Sequence, residues 1–412
     1  MSKPLKLLTP VVVVVLHSTA LAQETTPADR TDLLTFAQGA LFVSQTGLER
    51  GHGGLALRMI DGDWTELGVT TDQGGPVEFV YKLPANTTFD RFAIPGVSER
   101  PGNATFVKYV TVSGSAVSPD SGYQVLAAFE LETHGPDEQL TVLVPEVQIP
   151  VRWVKIRFEG GINIEEGHEG RTTIGFTELI ANGIQEERPL STAFEGLWAF
   201  KLLDAMHLKG QPLELYQDGA TIAGCLDRIV INGSVNGPIA RATGTDTRDG
   251  RPSAFIFVAD EDGSIQAVMS TNNSVFSPRV AVDDPDVQRP ECYEAPPEPM
   301  ACGTSVYVNF DVNSAVIRPE SEPVLSDVYE RLTSEGAQTV SIVGHTSTEG
   351  TTEHNQDLSE RRAQAVVDDL VARGFDAASL SAVGMGESQP LIRPDNDESA
   401  RSINRRVEIF CE

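Results

Sequence analysis

Positive charge is scarce in this sequence. Its 412 residues hold 31 Lys and Arg against 59 Asp and Glu, a formal net charge of −28. Phosphate-rich and anionic surfaces are repelled by such a chain, which excludes nucleic acid and acidic membrane surfaces as main partners. Glycans and amine-bearing peptides stay open. A bilayer-length apolar run is also missing. The one strongly apolar stretch, Leu7 to Leu16, follows Lys3 and Lys6 and precedes the small-x-small triplet Ala20-Leu21-Ala22. That pattern predicts a secretory signal peptide over residues 1–22, cut before Gln23. No cysteine follows it, which argues against a lipidated N-terminus, and losing its two lysines would take the net charge from −28 to −30. Nucleophile elbows, zinc-protease motifs, phosphate loops and dinucleotide fingerprints are all absent. The seven histidines are scattered. Neither a cofactor nor an enzyme is therefore expected.

Cysteine is sparse too. Cys225, Cys292, Cys302 and Cys411 lack the close C-x-x-C spacing of a metal site. In an exported chain an even number of cysteines favours disulfides, and four allow three pairings.

What is present divides into blocks. Residues 31–183 carry runs of β-branched and aromatic residues such as Val77-Glu78-Phe79-Val80-Tyr81, Phe106 to Val112 and Val151 to Phe158, punctuated by Gly and Pro. This predicts an all-β sandwich. Residues 190–280 alternate strands with Asp218-Gly219 and Asp262-Gly263 turns, which predicts a small antiparallel β domain. Residues 283–300 are acidic and hold Pro285, Pro290, Pro296, Pro297 and Pro299, which predicts a stiff extended linker. Residues 301–412 alternate strand and helix patterns, which predicts an α/β sandwich.

The helix expected over Leu358 to Ala372 carries the most chemistry. With Leu358 at zero and about 100° per residue, Val366, Leu370 and Ala363 fall at about 80°, 120° and 140°, and Arg362 at about 40°, inside that apolar arc. A guanidinium on the core side is costly unless paired. It pairs internally, for instance with Asp369, or snorkels, or waits for an anionic ligand such as a carboxylate. The loop before it, Gly344-His345-Thr346-Ser347-Thr348-Glu349-Gly350, offers backbone N–H groups and hydroxyls. Asn355 is a candidate for the helix cap or for a ligand contact.

The last block resembles the OmpA-like peptidoglycan-binding domain. The resemblance rests on Val308-Asn309-Phe310-Asp311, Gly344-His345-Thr346, Asn355-x-x-Leu358-Ser359-x-x-Arg362-Ala363, Gly384-Met385-Gly386-Glu387-Ser388-x-Pro390 and Asn404-Arg405-Arg406-Val407-Glu408-Ile409, in family order and spacing. It implies a periplasmic module, associated with the outer membrane or cell wall, that grips diaminopimelate in the peptidoglycan stem peptide. Arg362 would bind a ligand carboxylate, with Thr346, Ser347, Glu349 and Asn355 nearby. The family's usual ammonium partner is an Asp directly after Gly-His-Thr, and here Ser347 stands in its place. A hydroxyl supplies no charge, so that contact should weaken by about 1–2 kcal/mol, unless Glu349 or Glu353 substitutes. The resemblance also makes the first and last strands of this block neighbours, which favours a Cys302–Cys411 disulfide. Cys225 would then pair with Cys292 and pin the end of the middle block.

The first block resembles discoidin-like, or galactose-binding-like, jelly rolls. The cues are Asp61-Gly62-Asp63 before Trp64, Phe89-Asp90-Arg91-Phe92, and Arg152 to Arg157. That resemblance implies a glycan or an envelope protein as its partner. Trp64 is a candidate for sugar stacking but more simply a core or rim aromatic. Asp61 and Asp63 read as a turn rather than a calcium site. The expected function is a peptidoglycan-anchored envelope protein. The alternative is a carbohydrate-active enzyme or glycan-binding adhesin with the last block as scaffold.

Overall fold

The computed structural model describes residues 30–411 apart from 49–52, 64–67, 72–75, 96, 99–104, 132, 135–139, 164–172, 177 and 293–300. Residues 1–22, expected to be a signal peptide, Trp64 and the expected linker's Pro296, Pro297 and Pro299 lie outside the described residues. Among the described residues no helix is long and apolar enough to cross a membrane.

The first block is mostly β. Nine strands form one hydrogen-bonded network built around Val77–Pro95, whose first half pairs with Leu41–Thr46 and Val151–Asn163 and whose second half pairs with Ile180–Gln185. Alternate residues of a strand face one side. Accordingly Val77, Phe79, Tyr81 and Leu83 are all buried, and Phe79 meets Phe158 edge-on at 6.2 Å. A short helix, α1 (Gly53–Arg58), lies beside it, and its Ala56 carbonyl accepts the Tyr81 hydroxyl at 2.7 Å.

The middle block is a closed barrel of eight antiparallel strands running from Gly196–Leu202 to Ser277–Val282, which pair with each other and close the ring. Phe255 and Phe257 fill its interior with Leu213, Leu215 and Ile231. The intervening Ala254, Ile256 and Val258 are buried too, because they join the core of the first block. The strand Pro252–Ala259 is covered on both faces, which explains its unbroken apolar run.

The last block holds a four-stranded sheet in the order Thr304–Val306, Val407–Cys411, Val340–Gly344, Leu380–Gly384. Against it pack α2 (Glu322–Glu335) and α3 (Thr352–Arg373), and a further helix, α4 (Glu398–Asn404), precedes the last strand. First and last strands are neighbours, with Thr304 opposite Ile409, and Cys302–Cys411 joins them. Cys225–Cys292 is the second disulfide.

Residues 283–292, the described half of the expected linker, are tied to the barrel. The disulfide holds Cys292, whose amide donates to Asp227, and Arg228 and Glu214 lie within 3.6 Å of Glu291 and Arg289 respectively.

The blocks are docked to one another. Tyr307, Ile392, Ala400 and Ile403 of the last block are buried in the core shared by the other two. Asp327 of α2 accepts the Ala220 amide of the barrel at 2.6 Å. Asn236 donates to the Tyr307 carbonyl at 2.6 Å. The Asp61-Gly62-Asp63 turn meets α4, where the Glu398 amide donates to Asp61 and Arg401 Nη2 donates to Gly62, at 2.7 and 2.6 Å.

Candidate functional site

The site forms where α3 lies across the ends of two parallel strands. Glycine is required for that approach. A Cβ on Gly344 would sit 2.3 Å from the Ser359 carbonyl, and one on Gly384 would sit 2.6 Å from the Glu360 amide. Ser359 is fully buried and its hydroxyl takes the Gly386 amide at 2.8 Å, fixing the second loop. The first loop is fixed at its base by bonds from the His345 amide to Arg406 and from the Thr346 amide to Gly386.

α3 starts earlier than the apolar periodicity suggests, at Thr352, with the Thr351 hydroxyl capping its first turn. Asn355 is therefore not the cap. It is buried one turn in and donates to Glu387 and to the Ser347 carbonyl. Arg362 lies on the buried face and is only 8% exposed. Its Nε donates to the Ser314 carbonyl at 3.0 Å, its Nη2 lies 3.5 Å from the Asp311 carbonyl, and its guanidinium stands 4.9 Å above the Phe310 ring. No carboxylate pairs with it among the described residues. Asp369, the internal candidate, binds Arg373 at 2.6 Å instead. Burial first, and then the nearby Arg405 and Arg361, push the Arg362 guanidinium down to about 10. It still carries its charge at neutral pH.

Arg362 opens into a cavity of about 570 Å³, a size suited to a small ligand. Thr346, Ser347, Glu349 and Asn355 line it with Arg362. The Thr346 hydroxyl is buried without a partner. Ser347 Oγ is 3.5 Å from Glu349, whose carboxylate also lies 3.5 Å from Arg401 and 3.6 Å from Arg405. Glu349 is thus engaged by two cations. Arg401 and Arg405 also pair with Glu398.

Sequence reasoning missed the far wall. Asp32 and Glu178 of the first block and Arg241 of the barrel line the same cavity. Nothing in their local patterns marks them, since only tertiary docking brings them there. Asp395 was missed as well. It fixes Thr348 and accepts from Asn404 at 3.0 Å, so it shapes the loop from behind.

Residues 309–405 match the OmpA family, so the last block carries an OmpA-like domain. The outer membrane protein A of Escherichia fergusonii is 43% identical over 112 residues, which is 25% of this chain and 46% of that protein. The chain spans between a quarter and a half of the length of such curated relatives. Among solved structures, the peptidoglycan-associated lipoprotein from Burkholderia pseudomallei is 30% identical, covering 26% of this chain and 89% of that one, with a TM-score of 0.24. The C-terminal domain of a chitobiase from Bacteroides fragilis is 17% identical, covering 39% of this chain and all of that one, with a TM-score of 0.28. At such scores neither bears on the fold.

Proposed function

We propose that this is an exported cell-envelope protein that binds peptidoglycan non-covalently, through the stem peptide's diaminopimelate, and anchors its β blocks to the wall. The observation that carries this reading is Arg362, a buried guanidinium that lines a ligand-sized cavity and has no carboxylate partner among the described residues. A ligand carboxylate would satisfy it bidentately. The match of residues 309–405 to the OmpA family supports the ligand class. The function is binding and not catalysis, and it resides in the periplasm at the outer membrane or wall. The first block we read as a galactose-binding-like jelly roll that presents a surface to a glycan or an envelope protein.

Sedimentation of the full chain with purified sacculi tests this. The wild type should pellet, and Arg362→Ala should reduce pelleting by about tenfold or more, the scale of one charge-assisted pair. Equal pelleting of both would discard the site.

A further inference from the structure

We propose that Asp32, supplied by the first block, is the ammonium-binding carboxylate of the Arg362 cavity, so that two domains together build a site for a small amino-acid-like diacid. The inference rests on the peptidoglycan reading above and names a partner for the charge that Ser347 does not provide.

Elimination among the acids that line the cavity points to Asp32. These acids are Asp32, Glu178, Glu349 and Glu398. Glu349 and Glu398 are both held by Arg401 and Arg405. Glu178 is 2% exposed; one oxygen takes the Gly62 amide at 2.8 Å and the other is sealed from solvent. Asp32 differs on every count. No cation pairs with it among the described residues. Its Oδ1 accepts the amides of Leu34 and Ala181, both at 3.0 Å, and its Oδ2 accepts none among the described residues. The residue is half-buried and lines the cavity.

The chemistry agrees. Burial raises the Asp32 carboxyl to about 7, against the two backbone donors that lower it. The charged groups that face it are Glu398 and Glu178, which favour the neutral form, and Arg401, which opposes them. An ammonium beside Oδ2 favours the carboxylate and expels the proton. Binding of an amine-bearing ligand should therefore release a proton near pH 7 and weaken as pH falls below it.

Isothermal titration of the full chain with diaminopimelate and with pimelate, the same diacid without amines, separates the two charges. The variants are Asp32→Asn, which keeps the Oδ1 acceptor and so the backbone bonds, and Arg362→Met. The wild type should bind diaminopimelate about tenfold tighter than pimelate at pH 8, releasing a proton at pH 7 in buffers of different ionisation enthalpy. Asp32→Asn should level the two affinities and abolish the proton release, while Arg362→Met should weaken both ligands. An undiminished preference in Asp32→Asn overturns the role of Asp32 and leaves the Arg362 reading standing. Unchanged binding of both acids by Arg362→Met overturns that reading instead, and no binding of either acid to the wild type overturns both.

Discussion

Arg362 shows what one residue reveals and what it hides. Its place inside an apolar arc was legible from spacing alone, because a charge there must be explained. Asp32 gave no such signal: it stands in an unremarkable polar stretch before a buried segment, and only docking of the last block turns it into a cavity wall. Its energetics can be measured without any ligand. The folded carboxyl sits at about 7, above the ordinary value near 3.8, so the folded state holds a proton that the unfolded state has lost. That contribution to stability is complete below the unfolded value and disappears as pH rises through 7. Between pH 6 and pH 8 the wild type should lose stability through this group, on the order of 1 kcal/mol. Asp32→Asn should lack that part of the slope in urea unfolding curves taken at both pH values. Parallel slopes would show that the carboxyl is not held protonated.

At the level of elements, the sequence was informative where periodicity is long. α3 runs from Thr352 to Arg373, and its buried stripe of Leu358, Ala363, Val366 and Leu370 matches the arc derived from 100° steps. α4 was not foreseen. It spans seven residues and buries Ser399, Ala400 and Ser402 beside Ile403, so its covered face looks polar in sequence. Its start is set by Asp397, which accepts the Ala400 amide, a cap that is common in loops as well. The disulfides act at this scale too. Cys302 and Cys411 join the first and last strands across a separation of 109 residues, and Cys225 and Cys292 across 67. Chain entropy depends weakly on loop length, so each bridge should be worth about 4–5 kcal/mol. The serine pair at 302 and 411 should lower the urea midpoint by a corresponding amount, and the pair at 225 and 292 by nearly as much. The second pair should also loosen residues 283–292 and expose them to proteolysis, because the disulfide is their covalent tie to the barrel, beside contacts with Arg228, Glu214 and the Asp227 carbonyl. Unchanged cleavage would mean that the ion pairs suffice.

On the scale of the whole molecule, block boundaries could be read from composition but docking could not. Burial of Ile256 and Val258 on the outer barrel face, and of Ile403 beneath the first block, depends on partners hundreds of residues away. One close point of that docking is Gly62. Its φ of +83° is a left-handed conformation, and a Cβ there would lie 2.3 Å from the Glu398 Cβ. Backbone and side chain both forbid substitution while Asp61 and Gly62 hold α4. Gly62→Val should therefore part the first block from the last without touching Arg362. If the ammonium partner comes from the first block, the separated molecule keeps its Arg362-dependent affinity for pimelate. It then loses its preference for diaminopimelate, as Asp32→Asn does. Small-angle scattering reports the separation as an increased radius of gyration, and the same titrations report the preference. An expanded molecule that still prefers diaminopimelate would place the ammonium site wholly within the last block. A compact one would mean that the turn yields without undocking. The two readouts together therefore test whether the domain interface is part of the binding site or only its support.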